Sequence, residues 1–161
     1  MIKRLLSVLT IGLLMVFYHK NLNAQTCHGI WKTIDDKTDK PASIMKLYEE
    51  DGILYGDILA ILKEDTKQKN PLCVKCPDDR KDQPVIGMQL IRGLTRDGNQ
   101  WSGGHVVDPH TGKIYRCYLE LLTPDKLKVR GYVGFSIFGR TQYWYRTPDY
   151  EDTQVLSSGT K

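Results

Sequence analysis

The sequence predicts an all-β protein, a single up-and-down antiparallel β-barrel of about eight strands. Short segments with apolar residues at alternate positions follow one another through most of the chain, and turn-forming residues separate them. No segment of convincing length has a helical pattern. In addition, Gly29-Ile30-Trp31 lies on the first predicted strand and Arg140 on the last. An arginine there can stack on Trp31 only if the sheet closes on itself.

The first 24 residues have the pattern of a secretory signal peptide. Lys3 and Arg4 precede an uncharged, mainly apolar stretch of 13 residues at positions 5–17, and the small residue Ala24 precedes Gln25. Such a stretch is short for a membrane span. We therefore expect cleavage after Ala24, export, and a mature chain that does not span a membrane.

Charge and length limit the class of protein. Removal of residues 1–24 takes away three cations and no acid, which lowers the formal net charge from +4 to +1. A weakly charged chain without a basic stripe does not indicate a nucleic-acid partner. The remaining length is typical of one domain, which we predict as a barrel over residues 25–147. Residues 148–161 are polar and read as a disordered tail.

Eight strands are predicted, in chain order, over residues 28–34, 43–50, 53–63, 85–94, 101–107, 114–122, 126–134 and 140–147. Asp51-Gly52 links the second and third strands as a two-residue hairpin, because both residues tolerate positive φ. Asp97-Gly98-Asn99 and the segment 108–112 are further turn signals. Short links of this kind favour a meander, and closing it removes the exposed edges.

One face of each strand is predicted to cover the core. On the third strand this face carries residues 54, 56, 58, 60 and 62, and on the seventh it carries residues 127, 129, 131, 133 and 135. Gly56, Ala60 and Gly131 are small residues on these faces. They leave room either for bulky neighbours or for a ligand. Gly103 and Gly104 are expected to allow a bend or bulge.

Four cysteines allow three disulfide connectivities in an oxidising compartment. Cys73 and Cys76 lie close together in a polar loop and read as a loop clip, a redox pair or half of a zinc site. Cys27 and Cys117 form either a second bridge or, in the case of Cys117, a buried free thiol. The bridge requires the segment before Gly29 to cross the end of the barrel.

Candidate chemistry is sparse. His105, Asp108 and His110 are metal-ligand types, but they span a strand end and a turn that starts with Asp108-Pro109. We therefore predict a solvated turn, no metal site and no cofactor. No phosphate-binding loop, nucleophile elbow or zinc-protease helix is present in the sequence. This favours a non-enzymatic protein, although a redox enzyme using Cys73 and Cys76 stays open.

Aromatic side chains are the remaining candidates. Tyr143 and Trp144 lie on opposite faces of the last strand, Trp101 begins the fifth and Tyr132 lies late on the seventh. They fit either a barrel core with a cross-strand ladder or an aromatic-lined pocket. For the second reading we take Trp101, Tyr132 and Tyr143 as ligand-binding residues. We assign structural roles to Gly29, Trp31, Arg140 and Trp144.

The motifs of the chain, taken in order, resemble a secreted bacterial family known as domain of unknown function 2147. They are the segments 29–36, 48–56, 84–88, 101–104, 108–109 with 112–115, 127–132, and 138–142 with Trp144. The Gly-x-Trp and the late arginine are similar to those of the lipocalin and calycin group. The resemblance implies a small exported barrel of lipocalin-like shape, in the periplasm of a Gram-negative bacterium or secreted from it. It implies no activity.

Besides the redox enzyme, two non-enzymatic functions remain. In the first, the barrel mouth binds a small apolar or amphipathic ligand. In the second, the barrel is filled and the protein is a non-enzymatic envelope protein that interacts through its surface. Occupancy of the interior distinguishes the two.

Overall fold

The computed structural model of the protein describes residues 26–62, 69–147 and 150. Within these ranges the chain forms nine β-strands and one short 3-10 turn, Asp78–Arg80. The strands are β1 Gly29–Ile34, β2 Pro41–Glu50, β3 Ile53–Ile61, β4 Gln89–Asp97, β5 Gln100–Ser102, β6 His105–Val107, β7 Ile114–Thr123, β8 Lys126–Tyr132 and β9 Gly139–Arg146. The expected signal peptide, residue 63 of the third predicted strand, and the expected tail apart from Tyr150 lie outside the described residues.

The strands close into one antiparallel barrel. β1 pairs with β2 and with β9, and β2 pairs with β3. β9 in turn pairs with β8, and β8 pairs with β7. β3 pairs with β4, and both β5 and β6 lie between β4 and β7. β5 and β6 are thus two pieces of one broken strand, and the barrel has eight strands in meander order. The predicted fold class is confirmed.

The break between β5 and β6 is caused by two glycines. Gly103 has a φ of +84°, which most residues avoid. A Cβ atom on Gly104 would lie 2.6 Å from the carbonyl carbon of Gly93 on the neighbouring strand. The backbones approach too closely for any side chain, so the strand bends here as the sequence indicated. Asp51 and Gly52, with φ values of 52° and 78°, form the predicted hairpin turn.

Two predicted strands run too long. Residues 85–88 precede β4 and form a turn whose Val85 and Met88 side chains are buried in the core. β8 ends at Tyr132, so the prediction that Val133 and Phe135 face the core is wrong. They are 64% and 75% exposed, because the chain leaves the barrel there through Gly134, at a φ of +67°.

The interior is filled by one apolar cluster. Its buried side chains include all three tryptophans, and each is at most 6% exposed: Trp31, Met45, Leu47, Leu54, Ile58, Ile91, Leu94, Trp101, Val107, Leu119, Leu127, Val129 and Trp144. At Gly56, an added Cβ would lie 2.8 Å from a methyl carbon of Leu47 and 3.1 Å from the Cβ of Ile91. This glycine therefore admits bulky neighbours and leaves no space for a ligand.

Candidate functional site

One end of the barrel is closed by Trp31 and Arg146. Trp31 is fully buried and its Nε1 donates a hydrogen bond of 2.8 Å to the carbonyl oxygen of Cys27. The guanidinium carbon of Arg146 lies 4.3 Å from the centroid of the indole ring. Arg146 also donates to the carbonyl oxygens of Thr26 and His28, at 2.9 and 2.7 Å. The segment before β1 is thereby fixed across this end of the barrel.

The prediction that Arg140 covers Trp31 is wrong. Arg146 is the register partner of Trp31, whereas Arg140 lies six positions earlier on β9, roughly 20 Å away along the strand. There Arg140 forms an ion pair with Asp36. Gly29 has its structural role beside Arg146, because a Cβ at this position would lie 2.7 Å from Nη1 of the arginine. Trp144 is a buried core residue, 5% exposed.

The cysteines divide into a bonded pair and two thiols. Cys73 and Cys76 form a disulfide. Cys27 and Cys117 are free and buried, so the alternative of a second bridge is wrong. Burial raises the pKa of Cys27 to about 11, although the charges of Arg96 and Arg146 oppose it, and raises that of Cys117 to about 12. Both thiols are therefore protonated at neutral pH and poor nucleophiles.

The disulfide loop, residues 69–88, covers the opposite end of the barrel. Both bonded cysteines are buried, and Sγ of Cys73 lies 3.2 Å from the carbonyl oxygen of Pro109. A Cβ on Gly112 would overlap the carbonyl oxygen of Lys75, so the loop rests directly on the β6–β7 turn. The disulfide is thus part of a packed cover, as expected of a loop clip.

The His105, Asp108 and His110 segment has the geometry of a capped turn. Asp108 accepts hydrogen bonds from the backbone N–H of His110, at 2.9 Å, and from the hydroxyl of Thr111, at 2.8 Å. Burial and the nearby charges of Arg80 and Arg92 lower the pKa of His105. Among the residues that the structure describes, no three His, Cys, Asp or Glu side chains are grouped as metal ligands.

The three candidate ligand-binding aromatics are not brought together. Trp101 is buried in the core, within 5.7 Å of the guanidinium of Arg96. Tyr143 lies on the outer face of β9, 42% exposed, with Nζ of Lys126 4.6 Å above its ring. Tyr132 lies where β8 ends, at the end of the barrel that the disulfide loop covers. An aromatic-lined pocket built from these three side chains is therefore not formed.

A polar cleft on the outer wall escaped sequence reasoning. It has a volume of about 480 Å³ and lies between strands β2–β4 and the disulfide loop. Tyr48 donates to Asp57 at 3.2 Å and accepts from Gln89 at 2.9 Å, while Arg92 forms two hydrogen bonds to Asp79. Burial raises the pKa of Asp57. These polar groups largely satisfy one another, which is the pattern of a docked loop.

The exposure of the β8–β9 loop was also not predicted from the sequence, because its apolar residues continue the alternation of β8. We call residues 133–138 the apolar tip. Beside it lies a depression of about 390 Å³ lined by His105, Ile114, Arg116, Tyr132, Val133 and Gly134. A cation and apolar side chains therefore lie side by side at the end of the barrel that the disulfide loop covers.

The architecture defines a class: a closed, eight-stranded antiparallel β-barrel of lipocalin-like fold. A solved structure supports this assignment. Protein HP1028 from the human pathogen Helicobacter pylori, described as belonging to the lipocalin family, is similar with a TM-score of 0.68. The identity is 18%, and the match covers 81% of this chain and 89% of that one. At this identity the likeness concerns the fold alone.

The family is given by the sequence itself. A family model described as "Uncharacterized protein conserved in bacteria (DUF2147)" matches residues 29–146. The chain therefore belongs to this family, which confirms the resemblance found in its motifs. No curated protein matches the chain.

Across the described residues, no helix has both the length and the apolar composition needed to cross a membrane.

Proposed function

We propose that the protein is an exported, non-enzymatic envelope protein with a filled barrel, and that it acts through its outer surface. The packing of the interior carries this proposal. Trp31, Trp101 and Trp144 are each at most 5% exposed and belong to one continuous core. A lipocalin-like barrel that binds a ligand needs an apolar cavity instead.

Both ends of the barrel support the same proposal. Arg146 and the segment from residue 26 cover one end, and the disulfide loop covers the other. A ligand would have to displace a packed cover and then large side chains, since interiors of this kind are dense and adapt only partly. We therefore propose that the protein acts through its outer surface, either in the periplasm of a Gram-negative bacterium or after secretion from it.

The proposal is tested by titrating the purified protein with a fluorescent fatty acid and exciting tryptophan. The three tryptophans lie in the interior, so an interior probe would accept their energy efficiently. We expect no saturable one-to-one binding. A variant with Phe135→Ser and Phe138→Ser serves as control, because it removes apolar surface outside the barrel. Saturable binding that survives these substitutions would show an interior ligand site and contradict the proposal.

Export is tested separately by the mass of the protein recovered from a bacterial host. A chain that begins at Gln25 is expected from cleavage after Ala24. A chain that begins at Met1 would contradict export by this signal. The outcome does not depend on what the barrel binds.

A further inference from the structure

The apolar tip is the most exposed apolar segment in the described part of the chain. Val133, Phe135, Ile137 and Phe138 are 64%, 75%, 73% and 70% exposed. Each of the other large hydrophobic side chains of the described residues is less exposed. Contiguous apolar surface of this kind marks a site of interaction.

The tip is held in a defined shape by Arg130. Its Nε donates to the carbonyl oxygen of Ser136 at 2.7 Å, and its Nη2 donates to that of Ile137 at 3.1 Å. Its Nη1 donates to the hydroxyl of Thr141 at 2.7 Å. One guanidinium thus satisfies two carbonyl groups of the loop, while the apolar side chains of the loop stay exposed to solvent.

The hairpin that carries the tip is cationic. Between Lys126 and Arg146 the sequence has five lysines and arginines and no acid. Two of these cations have acidic partners, since Lys128 pairs with Glu120 and Arg140 with Asp36. Lys126 and Arg146 lie at the opposite end of the barrel, so Arg130 and Arg140 are the hairpin cations near the tip. Of these two, Arg140 is paired, and Arg130 has no acidic partner among the residues that the structure describes.

Arg116 adds an available cation beside the tip. It lies in the depression with Ile114, Tyr132 and Val133. Its side chain has no hydrogen bond or ion pair with any residue that the structure describes. A cation with free donors next to apolar surface suits a phosphate headgroup with an acyl chain attached.

We infer that the β8–β9 hairpin binds an anionic membrane surface, with the apolar tip entering the interface and Arg116 contacting lipid phosphate. This inference rests on the proposed function and names the partner of its surface. Apolar and aromatic side chains beside cations are the combination by which peripheral proteins bind anionic bilayers. The tip exposes on the order of 500 Å², which is less than a stable protein interface needs on one side.

Vesicle flotation tests the inference. The full chain is expressed, recovered without detergent and weighed by mass spectrometry, so that all variants share the same N terminus. Vesicles of phosphatidylcholine alone are compared with vesicles in which one lipid in three is phosphatidylglycerol. We expect stronger partitioning to the anionic vesicles, and a loss of about tenfold or more when Phe135→Ser and Phe138→Ser are combined.

Two matched controls separate the tip from general effects. Leu122→Ser removes a 44% exposed side chain at the opposite end of the barrel and should leave partitioning unchanged. Arg116→Gln should weaken binding about fivefold on anionic vesicles only. Lys46→Gln, on the outer face of β2, should not. Equal melting midpoints of these variants establish that the fold is intact, because all the substituted side chains lie outside the core.

A local probe reports the tip directly. Phe135→Trp places an indole there, and we expect brominated lipids to quench its fluorescence beyond the quenching of the parent protein. No added quenching, or equal partitioning of the tip variant and its parent, would overturn the inference. So would a tip-dependent self-association without vesicle binding, which indicates a protein partner. An interior ligand would contradict the filled barrel, but the vesicle experiment would still test the tip, because the tip lies outside the barrel.

Discussion

Replacing Arg146 by alanine should destabilise the barrel more than any comparable change at Arg140. Arg146 stacks on a fully buried Trp31 and donates to three carbonyl oxygens, those of Thr26, His28 and Pro124. Its loss uncovers the indole and releases the segment before β1. Arg140 instead forms one ion pair, with Asp36, and its own side chain is 51% exposed.

The magnitude follows from these contacts. The stacking contributes about 1 kcal/mol, and the half-buried hydrogen bond to His28 contributes about 1 kcal/mol. The other two acceptors are exposed, so water replaces the donor and they add only about 0.5 kcal/mol together. Arg146→Ala should thus lower the free energy of unfolding by about 2.5 kcal/mol and the melting midpoint by about 8 °C.

The assay is thermal and urea unfolding followed by tryptophan fluorescence. Arg140→Ala should cost less than about 1 kcal/mol, because exposed ion pairs contribute little. Arg146→Lys should fall between the two, since lysine keeps the charge but lacks the planar fork that stacks and donates in several directions. Equal midpoints for Arg146→Ala and the parent, or a larger loss at Arg140, would refute this account of the closed end.

Three further predictions concern packing, pH and thiol chemistry. Gly104→Ala should lower the free energy of unfolding, measured in urea, by about 3 kcal/mol, because its Cβ would overlap the β4 backbone. Gly134→Ala, with open space around it, should lower it by about 1 kcal/mol, and equal losses would contradict the close approach at Gly104. Burial raises the pKa of Asp36, but the hydrogen bonds to Arg140, to Gln142 and to the backbone, together with the charge of Arg140, outweigh burial and lower that pKa. Its stabilisation is therefore present above the unfolded pKa of about 4 and lost as pH falls through the lower folded value. Asp36→Asn should flatten this acid-side loss, and an unchanged pH profile would exclude the pair. A thiol-reactive dye should leave Cys27 and Cys117 unlabelled in the native protein and label both in denaturant; rapid native labelling would contradict their burial.

The fold was largely predictable because it follows from local patterns. Apolar residues at alternate positions determine which face of a strand is buried, and Asp51-Gly52 has both positive φ values that its turn requires. The errors lie where a local pattern continues past its structural cause. Val133 and Phe135 keep the alternation of β8, yet no neighbouring strand extends far enough to cover them.

The candidate site was predictable only in part. The Cys73–Cys76 disulfide follows from spacing, but the cover that it stabilises depends on the contact of Lys75 with Gly112, far away in sequence. The polar cleft requires the long loop to dock against β2–β4, and no periodic signal encodes that docking.

The sequence by itself determined that the chain forms a closed meander with a tryptophan on its first strand and an arginine on its last. The tertiary structure decided which arginine. Arg140 and Arg146 are six positions apart, an even number, so alternation places both on the same face of β9. Only the register between β1 and β9, fixed by closure of the whole barrel, puts Arg146 opposite Trp31 and leaves Arg140 at the far end with Asp36.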